Sequence, residues 1–127
     1  HHVTNVPGAS AIFMAGLVTY SNEAKQALLG VKGATLEEHG AVSEQTARQM
    51  AEGARTRNKT DYAIAVTGIA GPGGGSPEKP VGTVYIALAT PEKTVVEKNF
   101  NNYERETFKF LTSQQALDLL RRNLVQI

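Results

Sequence analysis

The sequence predicts an α/β fold of three layers, a mixed sheet flanked by helices on both sides, and three observations predict it. Apolar residues recur with helical spacing at Ala47, Met50, Ala51 and Ala54, and again from Phe108 through Leu111, Ala116, Leu119 and Leu124. Between these helices lie runs of strand length at 62–66, 81–89 and 94–100, rich in β-branched and aromatic residues. The order helix, strand, hairpin, helix leaves a helix available for each face of a sheet. With 127 residues the chain can bury one sizeable core and is too short for two, so a single domain over 1–127 is expected.

Taken in order, Pro7-Gly8 marks a turn, Ser10 is placed to cap a short helical piece through Phe13, and residues 16–20 alternate like a strand. Ser21 or Asn22 then caps a helix that Gly30 stops, with Ala24, Ala27 and Leu28 on one face and Lys25 projecting from its first turn. A short helix over 34–39 closes at Gly40, where His39 reads as a capping or surface residue. Val42-Ser43 opens the longer helix. Its small inward residues imply close packing on a sheet, and Arg48, Arg55, Arg57 and Lys59 fall on the solvated side. Residues 81–89 and 94–100 are close enough for a hairpin across Thr90-Pro91-Glu92-Lys93, and charge from Glu97 onward marks a solvated face or an edge.

The loop from Thr67 through Gly68, Gly71, Gly73, Gly74 and Gly75 to Thr83 joins two of these strands. Glycine leaves room for a ligand to approach the backbone, and successive N–H groups can form a concave nest that favours an anion. The plainer reading is a tight strand connection, since turns use the same residues. Two phosphate loops are excluded by spacing. Gly74 stands where a Walker lysine would be, and after Gly71-Pro72-Gly73 a dinucleotide fingerprint would need a third glycine where Ser76 stands and a helix where a strand follows.

Thirteen basic against twelve acidic residues give a net charge of +1, which argues against a broad footprint for nucleic acid. Absence of cysteine removes disulfides, thiolate metal sites and a cysteine nucleophile from these residues. His1, His2 and His39 make no metal-ligand spacing, and no cofactor is expected. No apolar run is long enough to span a bilayer and the opening residues lack a secretory pattern, so a cytoplasmic location without membrane contact is predicted.

Four motifs in one order carry a family resemblance. Thr4-Asn5-Val6-Pro7-Gly8-Ala9-Ser10, Val18-Thr19-Tyr20-Ser21-Asn22-Glu23-Ala24-Lys25, His39-Gly40-Ala41-Val42-Ser43-Glu44, and Val66-Thr67-Gly68-Ile69-Ala70-Gly71-Pro72 with Pro80-Val81-Gly82-Thr83-Val84 closely resemble the CinA carboxy-terminal domain, the PncC nicotinamide-nucleotide amidase family. The resemblance covers about residues 3 to 120. It implies a CinA-like three-layer fold, a homodimer, a small-molecule nucleotide substrate, and hydrolysis of nicotinamide mononucleotide to nicotinic acid mononucleotide and ammonia.

The family's nucleophile is a serine in a Glu-Ser-Cys-Thr-Gly-Gly motif ahead of the position of Val3. The resemblance therefore implies that the family's amino-terminal helix, first strand and nucleophile motif are missing from these residues. Lys25 matches the family lysine that acts as base, a role that needs a neutral amine and hence a lowered pKa. By spacing alone it is a solvated helix lysine. Tyr20 matches a tyrosine of the same motif and is expected to relay a proton or hold that amine; its plainer role is to close the core. Thr67, Gly68 and Gly71 match positions facing the substrate. Arg105, one helical turn before Lys109, matches an Arg-x-x-x-Arg pattern and is assigned to the nucleotide phosphate, although Tyr103-Glu104 and Lys109 depart from the family residues. The alternative is a competence- or damage-related interaction module with a vestigial pocket.

Overall fold

The computed structural model describes residues 1–124. After two single-turn 3₁₀ helices, Val3–Asn5 and Ala9–Ala11, the elements are α1 (Asn22–Leu29), α2 (Gly33–His39), α3 (Glu44–Asn58), β1 (Ala63–Gly68), β2 (Thr83–Ala89), β3 (Thr94–Phe100) and α4 (Arg105–Leu124). The strands form one sheet in the order β1-β2-β3, with Ala63 opposite Ala89 and Thr83 opposite Phe100.

Central β2 sorts its residues by the period of two. Val84, Ile86 and Leu88 are fully buried against Phe108, Ala116 and Leu119 of α4. Ala87 and Ala89 point the other way, onto Ala47, Met50 and Ala51 of α3. Alanine facing alanine lets α3 lie close to the sheet, while the larger residues on the opposite face fill the space beneath α4. A strand covered on both faces is apolar throughout, so β2 lacks the polar alternation of a half-buried strand. The α/β/α layering is as the sequence predicts.

Two details differ from the expectation. Among the described residues the sheet is antiparallel throughout rather than mixed, and residues 16–20 form no strand of it. Alternation describes side chains, whereas a strand also needs a neighbouring backbone for its N–H and C=O groups, and no described strand pairs with these residues. The arginines of α3 are also less free than their charge suggests. Arg48 Nη1 donates to the Thr94 carbonyl at 2.9 Å, Arg55 Nε to Asp61 at 3.0 Å and Arg57 Nη1 to Ala27 at 2.5 Å, so each ties α3 to a different piece of backbone.

Both predicted ends of α1 hold. The Ser21 hydroxyl accepts from the Ala24 N–H at 3.0 Å, and Gly30 takes the left-handed conformation (φ 70°) that ends α1. Ser43 caps α3 in the same way through the Thr46 N–H.

A buried amide pair fixes α4 to the end of β3. Asn101, 3% exposed, donates to Gln115 Oε1 at 2.7 Å and Thr112 Oγ1 at 3.1 Å, and Gln115 Nε2 donates back to Asn101 Oδ1 at 3.0 Å. Asn101→Leu leaves the Gln115 amide and the Thr112 hydroxyl without partners, and is expected to cost about 2 kcal/mol. Urea unfolding of the two proteins measures it.

Candidate functional site

Lys25 is the buried cation of the fold. Side chains on a helix lean toward its amino end, and Lys25 stands four residues after the Ser21 cap, so its amine reaches back over the chain reversal. Its Nζ donates to the Thr19 carbonyl at 2.9 Å, and the residue is only 7% exposed. Burial lowers its pKa from the ordinary value of 10.5, since withdrawal from water penalises the charged form. No described carboxylate lies within ion-pair distance of it to offset that penalty.

The amine lines a trench of about 1240 Å³ that runs along the free edge of β1. One wall is β1 from Ala63 to Gly68; the other is the segment 11–20, which leaves the second 3₁₀ helix and leads to α1 without regular structure. That second wall is apolar and open to solvent, with Ile12 79%, Val18 83% and Tyr20 87% exposed. Lys59 at the end of α3 and Arg105 and Lys109 of α4 also line the trench, so it holds four cations including Lys25.

The structure brings five of the six residues assigned from sequence to this cavity: Tyr20, Lys25, Thr67, Gly68 and Arg105 all line it. Gly71 does not. Tyr20 lies mostly in solvent, and it is the Thr19 carbonyl that holds the Lys25 amine. Thr67 is buried with its hydroxyl donating to the Ala41 carbonyl at 2.7 Å, which ties β1 to the turn before α3. In β1, residues 63, 65 and 67 share the alternation of Ile69, whose N–H donates inward to Thr83, so the backbone groups of Ile64, Val66 and Gly68 face the free edge. Gly68 thus presents an N–H toward the trench. A Cβ there would stand 2.9 Å from Val84 Cγ2, so close packing against β2 also requires glycine.

Gly71 contributes through its carbonyl, which accepts from Arg105 Nη1 at 3.0 Å. The guanidinium spans the amino end of α4 and the glycine-rich loop, with its remaining N–H groups available at the trench. Sequence reasoning missed the Thr19 carbonyl, because a backbone acceptor leaves no residue-type signal. Among the described residues no group of histidine and carboxylate side chains is arranged to hold a metal ion, and no helix is long and apolar enough to cross a membrane.

Fold and cavity together define a three-layer α/β domain with a buried lysine in a cleft along an open sheet edge. The chain belongs to the CinA C-terminal domain family, which it matches over residues 1–124. It is 54% identical over 122 residues to a Caldanaerobacter subterraneus protein described as competence-damage inducible, covering 96% of this chain and 30% of that protein. It is 55% identical over 124 residues to a CinA-like protein of Geotalea daltonii, covering 97% of this chain and 30% of that one. The chain thus spans less than a third of the length of these two relatives. The crystal structure of the competence/damage inducible protein CihA from Agrobacterium tumefaciens superposes with a TM-score of 0.90 at 45% identity, over 94% of this chain and 73% of that one.

Proposed function

We propose that this domain supplies the base and the substrate cleft of an amidohydrolase acting on nicotinamide mononucleotide. The observation that carries the reading is the Lys25 amine: buried, lowered in pKa, held by a neutral carbonyl and open to a nucleotide-sized cleft. A general base must offer a lone pair near neutral pH, and desolvation without a neighbouring carboxylate moves a lysine in that direction.

In this reading a serine hydroxyl, carried by the family ahead of the position of Val3, attacks the carboxamide carbon while Lys25 accepts its proton. The Gly68 N–H, on the free edge of β1, is the donor best situated to receive the developing oxyanion. Collapse of the tetrahedral intermediate breaks the carbon–nitrogen bond, and the Lys25 ammonium returns its proton to the departing ammonia. Water then adds to the resulting ester with Lys25 again as base, releasing the carboxylate product and the serine. Arg105 and Lys109 supply positive charge at the cleft for the nucleotide phosphate. Because Arg105 also holds the Gly71 carbonyl, it positions the loop as well.

The test is ammonia release from nicotinamide mononucleotide by a chain that carries the serine motif ahead of Val3. Turnover at that carboxamide, with nicotinic acid mononucleotide as the other product, supports the reading. A folded chain of that length that neither binds the nucleotide nor releases ammonia overturns it. The exposed apolar wall at Ile12, Val18 and Tyr20 favours a second reading, a surface for a protein partner, which a saturable partner together with an inert cleft would support.

A further inference from the structure

A second cavity, of about 430 Å³, lies on the other side of the fold, between the start of α3 and the α3-facing side of β2 and β3. It shares none of its lining residues with the trench. Its side chains are His39, Lys79, Tyr85 and Lys98, together with Ser43, Glu44, Gln45 and Val96 near the amino end of α3 and on β3. The volume is in the range of small-molecule pockets.

Its charge is one-sided once each partner is followed. On β3 the alternation sends Glu97 toward α4, where both its oxygens accept from Arg122 at 3.1 and 3.0 Å. Lys98, next along, faces the cavity and lies over the Tyr85 ring at 5.8 Å, with no carboxylate within ion-pair distance among the described residues. Lys79 donates to the His39 carbonyl at 2.5 Å, which occupies one of its three N–H donors. The one carboxylate of the lining, Glu44, is already engaged by Arg48 at 3.3 Å, and Glu38, largely exposed, reaches His39 Nε2 at 3.9 Å. Two ammonium groups therefore line a cavity whose one lining carboxylate is engaged by Arg48. The amino end of α3 adds potential of the same sign.

We infer that this cavity is a binding site for a small phosphate-bearing molecule, held between Lys79 of the glycine-rich loop and Lys98 of β3 and separate from the Lys25 trench. Lysine binds phosphate as a point charge with rotatable donors, which suits a site assembled from a loop and a strand. Tyr85 adds a phenol hydroxyl and an aromatic face for whatever the phosphate carries.

Inorganic pyrophosphate is the probe, titrated into the purified protein while backbone amide shifts are followed by NMR. The expected result is saturable one-site binding with shifts centred on Glu44, Gln45, Lys79 and Lys98. Lys98→Gln, at an exposed position where folding is not at stake, should weaken binding at least tenfold, and Lys79→Gln with Lys98→Gln should abolish it. Lys109→Ala, which alters the trench without touching the glycine-rich loop, should leave it within twofold. Absence of saturable binding, undiminished binding by Lys98→Gln and the double variant, or shifts confined to the trench and sensitive to Lys109→Ala would each overturn the assignment.

Discussion

Gly53→Ala is expected to destabilise the protein by about 3 kcal/mol or more, one of the largest effects of any single methyl group in this chain. Gly53 lies in the middle of α3, where glycine costs about 1 kcal/mol relative to alanine by helix propensity. Propensity alone would thus make the substitution stabilising. A Cβ built at Gly53, however, would stand 1.6 Å from the Leu29 carbonyl oxygen and 2.7 Å from its carbon. Those are backbone atoms at the last turn of α1, so no side-chain rotation relieves the overlap; α1 must withdraw from α3. Leu29 and Val31, 4% and 3% exposed, would leave the core with it. In urea the midpoint should fall by about 1.5 M, taking a slope of about 2 kcal/mol/M. Gly73→Ala is the control, because nothing lies within 4 Å of a Cβ there, and it should change stability by no more than about 0.5 kcal/mol. Equal midpoints for Gly53→Ala and the parent would show that α1 does not rest on α3 as described. Because α1 carries Lys25, the same substitution should also loosen the candidate base.

What was legible in the sequence was local. The Ser21 cap and the Gly30 stop of α1, the stripe of Ala47, Met50 and Ala51, and the β2–β3 hairpin all follow from patterns within about twenty residues of each other. What was hidden depends on contacts between distant segments. The alternation at 16–20 predicts a strand but cannot say whether another strand lies alongside. Arg48 reads as a solvated helix charge until β3 brings the Thr94 carbonyl to it. Lys25 is the sharpest instance at the candidate site. Its spacing reads as a surface lysine, the family resemblance alone singled it out, and its burial comes from the segment 16–20 folding over the start of α1. Lys79 and Lys98 gave no signal either, being brought to one cavity only by the return of β3 along β2 and the fold of the glycine-rich loop.

Lys25→Met should separate chemistry from folding, since methionine keeps the length of the side chain and removes the amine. On the proposed mechanism a chain with the serine motif should lose ammonia release by a factor of about 10²–10⁴, the usual contribution of a general base. Its circular dichroism should be unchanged. Stability supplies an independent readout through the direction of the Lys25 shift. A lysine whose folded pKa lies below 10.5 binds its proton more weakly when folded than when unfolded. Between those two values the unfolded chain therefore carries more protons, and this residue makes stability rise with pH across that window. Below the folded pKa the penalty is full and constant; above 10.5 it is gone. The parent should accordingly gain stability relative to Lys25→Met as pH rises toward 10.5, and the acid limb of kcat/KM should fall at the same lowered pKa. If the two proteins keep a constant difference in urea midpoint across that range, the amine is not desolvated in solution, and a buried lysine base is no longer available to the mechanism.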